Sequence, residues 1–99
     1  MNDITMVRLY LSEGRDHYER VVNWLYEDNR VKGVSVFRAI EGFGEDRKMK
    51  TSALLDLSLE LPVVIEFFDT PEVIQAVLEQ LQTMVKADHI VSFPAQSGI

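Results

Sequence analysis

The stretch Leu61-Pro-Val-Val-Ile-Glu-Phe-Phe-Asp-Thr-Pro-Glu constrains the fold most. Val63, Ile65 and Phe67 alternate with Val64, Glu66 and Phe68, which is the period of a β-strand. Pro62 can open such a strand, because its missing N–H is tolerated at the first position. Thr70-Pro71-Glu72 follows at once. It supplies a hydroxyl for the N-cap, a proline for the first helical position and an acid at the positive end of the helix dipole. Ile74, Val77, Leu78, Leu81 and Val85 then recur at helical spacing to about Ala87. Ile90 to Phe93 reads as a short last strand and Pro94 to Ile99 as a tail. A strand that runs directly into a capped helix and out into another strand is a β-α-β unit.

The N-terminal half repeats the unit. Ile4 to Leu11 alternates, with Val7, Leu9 and Leu11 on one side and Met6, Arg8 and Tyr10 on the other. Ser12 to Arg15 is a turn. Asp16, with Glu19 three residues later, resembles a capping box opening a helix to about Asn29. Tyr18, Val21, Val22 and Leu25 form its buried stripe, flanked by Trp24 and Tyr26. Gly33, in the connection after this helix, is suited to a positive φ. Val34 to Glu41 is the second strand.

The order β-α-β-β-α-β, with right-handed crossovers, predicts an α+β, ferredoxin-like domain. Its antiparallel sheet has the order 4-1-3-2, with both helices on one face. The 99 residues suit a single domain, and an apolar fraction of 46% is that of a globular chain. Val7, Leu9, Leu11, Phe37, Ala39, Val63, Ile65 and Phe67 are expected to point at the helices. The other face then carries Met6, Arg8, Tyr10, Val34, Val36, Arg38, Ile40, Val64, Glu66 and Phe68, too apolar for water. It is expected to be covered by other subunits. Glu66 is expected to lie between Arg8 and Arg38, either as an ion-pair network in an oligomer core or as a ligand site.

The long connection from Gly42 to Glu60 is where function is expected. Gly42-Phe43-Gly44 reads either as a hinge at a strand end or as a loop that lets a phosphate approach the backbone. Arg47, Lys48 and Lys50 are a basic cluster that is either a solvated loop or a partner for anionic oxygens. Thr51 to Glu60 reads as an extended arm or a short helix.

A net charge of −6 argues against a general nucleic-acid binder. The chain has no cysteine, which excludes disulfides and thiolate chemistry. His17 and His89 have no metal-binding spacing, so any histidine metal site would have to be shared between subunits. Ser12, Ser52 and Ser58 have no glycine-flanked nucleophile elbow, Asp56 and Glu60 do not form an acid/base pair, and no enzyme is expected. Residues Met1 to Arg8 do not read as a signal peptide, and no stretch approaches the roughly 18–20 apolar residues of a membrane span. The expected location is cytoplasmic.

The segments Val7-Arg8-Leu9-Tyr10, Gly33-Val34-Ser35-Val36-Phe37-Arg38, Gly42-Phe43-Gly44, Leu57-Ser58 and Leu61-Pro-Val-Val-Ile-Glu together resemble the small PII-like proteins of bacteria and archaea grouped as a domain of unknown function. The resemblance covers nearly the whole chain. It implies a ferredoxin-like subunit, a homotrimer, and a mobile T-loop after the second strand. It also implies an adenine nucleotide or other small anionic effector bound between subunits near the loop base, with no required cofactor. A membrane transporter or an enzyme would read the loop. Glu41, Gly42, Phe43 and Gly44 then form the loop base, and Arg47, Lys48, Lys50 and Thr51 lie in the loop. The chain departs from the pattern at Lys50, where relatives carry a histidine, and at Lys86-Ala-Asp-His89, which lacks the glycine-containing nucleotide loop of PII proteins. Two other expectations compete with this one: a divalent-metal trimer of the cation-tolerance type using His17, His89 and carboxylates, and a ligand-free interaction module.

Overall fold

A computed structural model describes residues 1–51 and 60–98. The expectations for Ser52, Asp56, Leu57 and Ser58, and for residues 52–59 of the arm or helix expected from Thr51 to Glu60, lie outside the described residues. Strand β1 (Asn2–Ser12) leads into helix α1 (Tyr18–Asp28), β2 (Val34–Arg38), a two-residue pair β3 (Glu41–Gly42) and β4 (Lys50–Thr51), then β5 (Pro62–Asp69), helix α2 (Pro71–Leu81), a 3-10 turn (Ala87–His89) and β6 (Ile90–Ser97). The main sheet has the order β2-β5-β1-β6, and each neighbouring pair is antiparallel. This is the expected 4-1-3-2 arrangement of a ferredoxin-like domain.

The core forms where alternation predicts it on the central strands. Val7 and Leu9 of β1 and Val63, Ile65 and Phe67 of β5 are fully buried. Val21 and Leu25 of α1 and Ile74, Val77 and Leu81 of α2 close over them, with Val85 beyond the helix end. Thr70 caps α2, its Oγ1 accepting the Val73 N–H at 3.3 Å. Trp24 packs at the core edge, whereas Tyr26 is exposed.

Several boundaries differ from expectation, each for a local reason. Asp16 does not cap α1. Its Oδ2 instead accepts the Ser12 N–H at 2.6 Å and holds the turn, while His17 enters the helix in the left-handed region at φ 49°. Asn29, not Gly33, takes the left-handed position that ends α1, where its N–H returns to the Leu25 carbonyl. Helix α2 stops at Leu81 rather than near Ala87. The residues expected to form a tail instead continue β6 to Ser97. They pair with Asn2 to Thr5 along a sheet edge, where Pro94 needs no N–H partner.

The largest difference is the phase of β2. Val34 pairs with Phe67, Val36 with Ile65 and Arg38 with Val63, while Ser35 pairs with Glu66 and Phe37 with Val64. Directly paired residues share a face. Phe37 therefore lies on the open face, 54% exposed, and Val34, Val36 and Arg38 lie on the helix side. The strand also ends at Arg38, three residues short of expectation. The Ala39 N–H still bonds the Pro62 carbonyl at 2.8 Å, and Glu41–Gly42 then turns away to pair with Lys50–Thr51.

Candidate functional site

The two-residue ribbon β3–β4 carries the loop expected to be functional. Glu41 pairs with Thr51 and Gly42 with Lys50. Gly42 lies against Pro62 at the start of β5, where an added Cβ would come within 3.0 Å of the proline Cγ, so the ribbon root is seated closely on the sheet. A Cβ on Gly44 would meet open space. Between β3 and β4 the chain turns through Arg47 at φ 60°, with the Arg47 N–H bonded to the Gly44 carbonyl at 3.0 Å and the Lys48 N–H bonded to Asp46 Oδ1 at 3.0 Å. The Lys48 N–H, then the charges of Lys50, Arg15 and Lys48, hold the Asp46 carboxyl below its usual range. The Lys50 ammonium lies 3.7 Å from Asp46 and 3.7 Å from Glu60, tying the ribbon to the entry of β5.

A cleft of about 350 Å³ opens beneath the ribbon. The end of β1 (Tyr10, Leu11, Ser12) and the turn residues Arg15 and Asp16 form one wall, and Phe43, Gly44, Glu45, Asp46 and Lys50 form another. Glu60, Pro62, Lys86, Asp88 and His89 close it. The fold brings these segments together because β1 ends where β5 and β6 begin, as antiparallel pairing requires. Arg15, Lys50 and Lys86 face five carboxylates there. Asp16 is engaged by the Ser12 N–H, Asp46 by the Lys48 N–H and Lys50, and Glu60 by Lys50. Glu45 and Asp88 remain, and their oxygens lie with a ring nitrogen of His89 all within 4.8 Å of one another. His17 does not belong to that group.

Of the residues expected in the site, Phe43, Gly44 and Lys50 line the cleft. Glu41, Gly42 and Thr51 build the ribbon behind it. The Arg47 guanidinium lies 4.6 Å above the Phe43 ring centre, and Lys48 is exposed. Sequence reasoning passed over Arg15; it met Lys86, Asp88 and His89 only as a junction lacking the glycine of the PII nucleotide loop, with His89 also a candidate metal ligand, and did not join them to the loop base. The signal that could have found them is topological: the β-α-β-β-α-β order puts the β1–α1 turn and the α2–β6 junction at the same end of the sheet as the loop base.

On the open face, Arg8 Nε and Glu66 Oε2 form an ion pair at 2.9 Å, and the Arg8 guanidinium lies 5.2 Å from the Phe93 ring centre. The Glu66 hydrogen bond lifts the Arg8 pKa above its ordinary value. Arg38 does not join them. Because β2 is shifted by one position in phase, Ser35 lies beside Glu66, and Arg38 pairs with Glu13 at 3.1 Å. The expected three-member network is thus an Arg8–Glu66 pair, with Met6, Tyr10, Phe37, Val64, Phe68, Val91 and Phe93 around it.

The profile of DUF190, described as an uncharacterized ACR, matches residues 4–97. The chain belongs to the DUF190 family. A UPF0166 protein of Aquifex aeolicus (strain VF5) is 32% identical to this DUF190 chain over 82 residues, which is 78% of this chain and 77% of the relative. Among solved structures, the fold is similar to CPII of Thiomonas intermedia K12, a nitrogen regulatory PII-like protein bound to ADP, AMP and bicarbonate. The TM-score is 0.72 at 20% identity, covering 99% of this chain and 91% of CPII. It is also similar to the divalent ion tolerance protein CutA1 of Ehrlichia chaffeensis, with a TM-score of 0.62 at 15% identity, covering 100% and 85% of the two chains. At such identities these likenesses show a shared fold. No helix among the described residues is long and apolar enough to cross a membrane.

Proposed function

We propose that this DUF190 chain is a non-enzymatic, PII-like trimeric regulator. It binds a small anionic effector, an adenine nucleotide first of all, in the cleft under β3–β4 and reports it through the loop that the ribbon carries. The observation that carries this reading is a cleft roofed by the loop base, whose lining holds Arg15, Lys50 and Lys86 among five carboxylates. Ammonium and guanidinium groups are the side chains that bind phosphate oxygens. Lys50 has a second role, since it pairs with Asp46 and Glu60. An anion that draws Lys50 away loosens the ribbon, which couples occupancy to loop order. The PII-like neighbour solved with ADP, AMP and bicarbonate supports the choice of ligand. The trimer is supported by the open face, where Tyr10, Phe37, Phe68 and Val91 are each 43–54% exposed around one ion pair.

Calorimetry of the purified protein with AMP, ADP, ATP and cyclic AMP, each with and without bicarbonate, tests the reading. Saturable heat with an adenine nucleotide, lost on replacing Lys86 and Arg15 by alanine, is the expected result. Absence of heat with all four at millimolar concentration refutes it.

One observation favours a second reading. Glu45, Asp88 and His89 offer hard oxygen and imidazole ligands in one place, and CutA1 neighbours share the fold. In that reading the cleft takes a divalent cation. Metal analysis of protein purified without chelator separates the two, because a nucleotide sensor does not retain stoichiometric metal.

A further inference from the structure

Phe43 stands on the cleft wall, the residue 49% exposed. The Arg47 guanidinium is stacked 4.6 Å from the ring centre, yet Arg47 does not line the cleft. It therefore backs the ring from outside. Arg47 adopts φ 60°, a left-handed conformation that costs any residue with a Cβ energy that glycine would not incur. Its N–H bond to the Gly44 carbonyl fixes that turn. The ring is thus clamped on one side, rooted through Gly42 on Pro62, and open on the side of the cleft.

We infer that the cleft side of Phe43 is the stacking platform for the aromatic base of the effector, and that Arg47 is a positioning residue for that ring rather than a phosphate ligand. This rests on the nucleotide reading of the cleft and adds a selection rule to it. Arg15, Lys50 and Lys86 offer cationic contacts to phosphate oxygens among the five carboxylates of the lining but do not tell one phosphate ligand from another, whereas a stacked ring rewards only ligands with a planar base. Arg47, which beside Lys48 reads as an anion partner, is occupied by the ring, and its cation–π contact holds the platform upright.

The test is calorimetry of the full chain with ADP and with pyrophosphate, on the wild type, Phe43→Leu, Phe43→Trp, Arg47→Ala and Arg47→Lys. Phe43 is exposed, so circular dichroism of these variants should match the wild type. Phe43→Leu is expected to weaken ADP about tenfold or more while leaving pyrophosphate within about twofold, and Phe43→Trp to restore ADP. Arg47→Ala is expected to weaken ADP about two- to fivefold with pyrophosphate unchanged, and Arg47→Lys to recover part of the loss. Equal ADP affinity in Phe43→Leu and wild type overturns this inference and leaves the nucleotide reading standing. An equal loss of ADP and pyrophosphate in Arg47→Ala overturns the positioning role, because that is the behaviour of a phosphate ligand. If pyrophosphate binds too weakly to measure, the ADP affinities of Phe43→Leu and Phe43→Trp decide. A wild type that binds no nucleotide overturns both readings.

Discussion

Replacing Phe37 by alanine tests both the phase of β2 and the proposed trimer. Phe37 is 54% exposed in the single chain. An aromatic side chain presents on the order of 200 Å², so about 110 Å² of Phe37 would be covered by a neighbouring copy. At about 25 cal/mol per Å², its removal weakens assembly by about 2–3 kcal/mol per protomer, and the trimer contains three such positions. The fold of each protomer should lose little. Phe67→Ala supplies the contrast: Phe67 is 1% exposed on the helix side of β5, and its truncation should cost about 3–5 kcal/mol at every protein concentration. Sedimentation velocity over a micromolar dilution series, paired with urea unfolding at each concentration, reads both quantities. Phe37→Ala is expected to shift dissociation to higher concentration and to lose stability mainly where it dissociates. A concentration-independent loss as large as that of Phe67→Ala would refute the β2 register. A wild type that sediments as a monomer throughout would refute the covered open face.

Three further outcomes follow from the geometry. Glu66→Leu leaves the Arg8 guanidinium without its carboxylate on the face proposed to be covered, so it should impair assembly more than the double replacement of Arg8 by Met and Glu66 by Leu, as sedimentation would show. Gly42→Ala sets a methyl 3.0 Å from Pro62 Cγ and should destabilise the ribbon by about 1 kcal/mol, while Gly44→Ala should be silent; the rate of limited trypsin cleavage after Arg47 and Lys48 reports the difference. Asp28 is held below the usual carboxylate range by its hydrogen bonds from Arg30, and Asp46 by the Lys48 N–H and nearby cations. A depressed carboxyl contributes stability that is full above its unfolded pKa and is lost as pH falls through the folded one. Loop protection and urea midpoints should therefore be level from neutral pH downward and decline only below about pH 4, and a midpoint that rises on acidification there would contradict the pairing.

Much of this protein can be read in its linear pattern. Strands β1 and β5 alternate cleanly because each has a hydrophobic face under the helices, and burial allows only one phase. Thr70-Pro71-Glu72 marks the start of α2 because the orphan N–H groups of a helix end demand such residues locally. The β-α-β-β-α-β order then leaves few ways to arrange four strands. Even the Arg8–Glu66 pair is legible, since both residues lie on interior strands of known phase.

Tertiary structure decided what local pattern leaves degenerate. In Val34–Arg38 both alternating sets contain large apolar residues, Val34 and Val36 in one and Phe37 in the other, so periodicity cannot choose between them. Pairing with β5 makes the choice, and a one-residue slip carries every side chain to the opposite face. That slip puts Phe37 on the open face and removes Arg38 from the ion pair. Likewise Arg15, the ribbon at Phe43 and the Lys86–His89 junction lie in three separate parts of the chain, and nothing in their spacing links them. They become one cleft because antiparallel strands return their ends to the same edge of the sheet, a consequence of chain path rather than of any local residue preference.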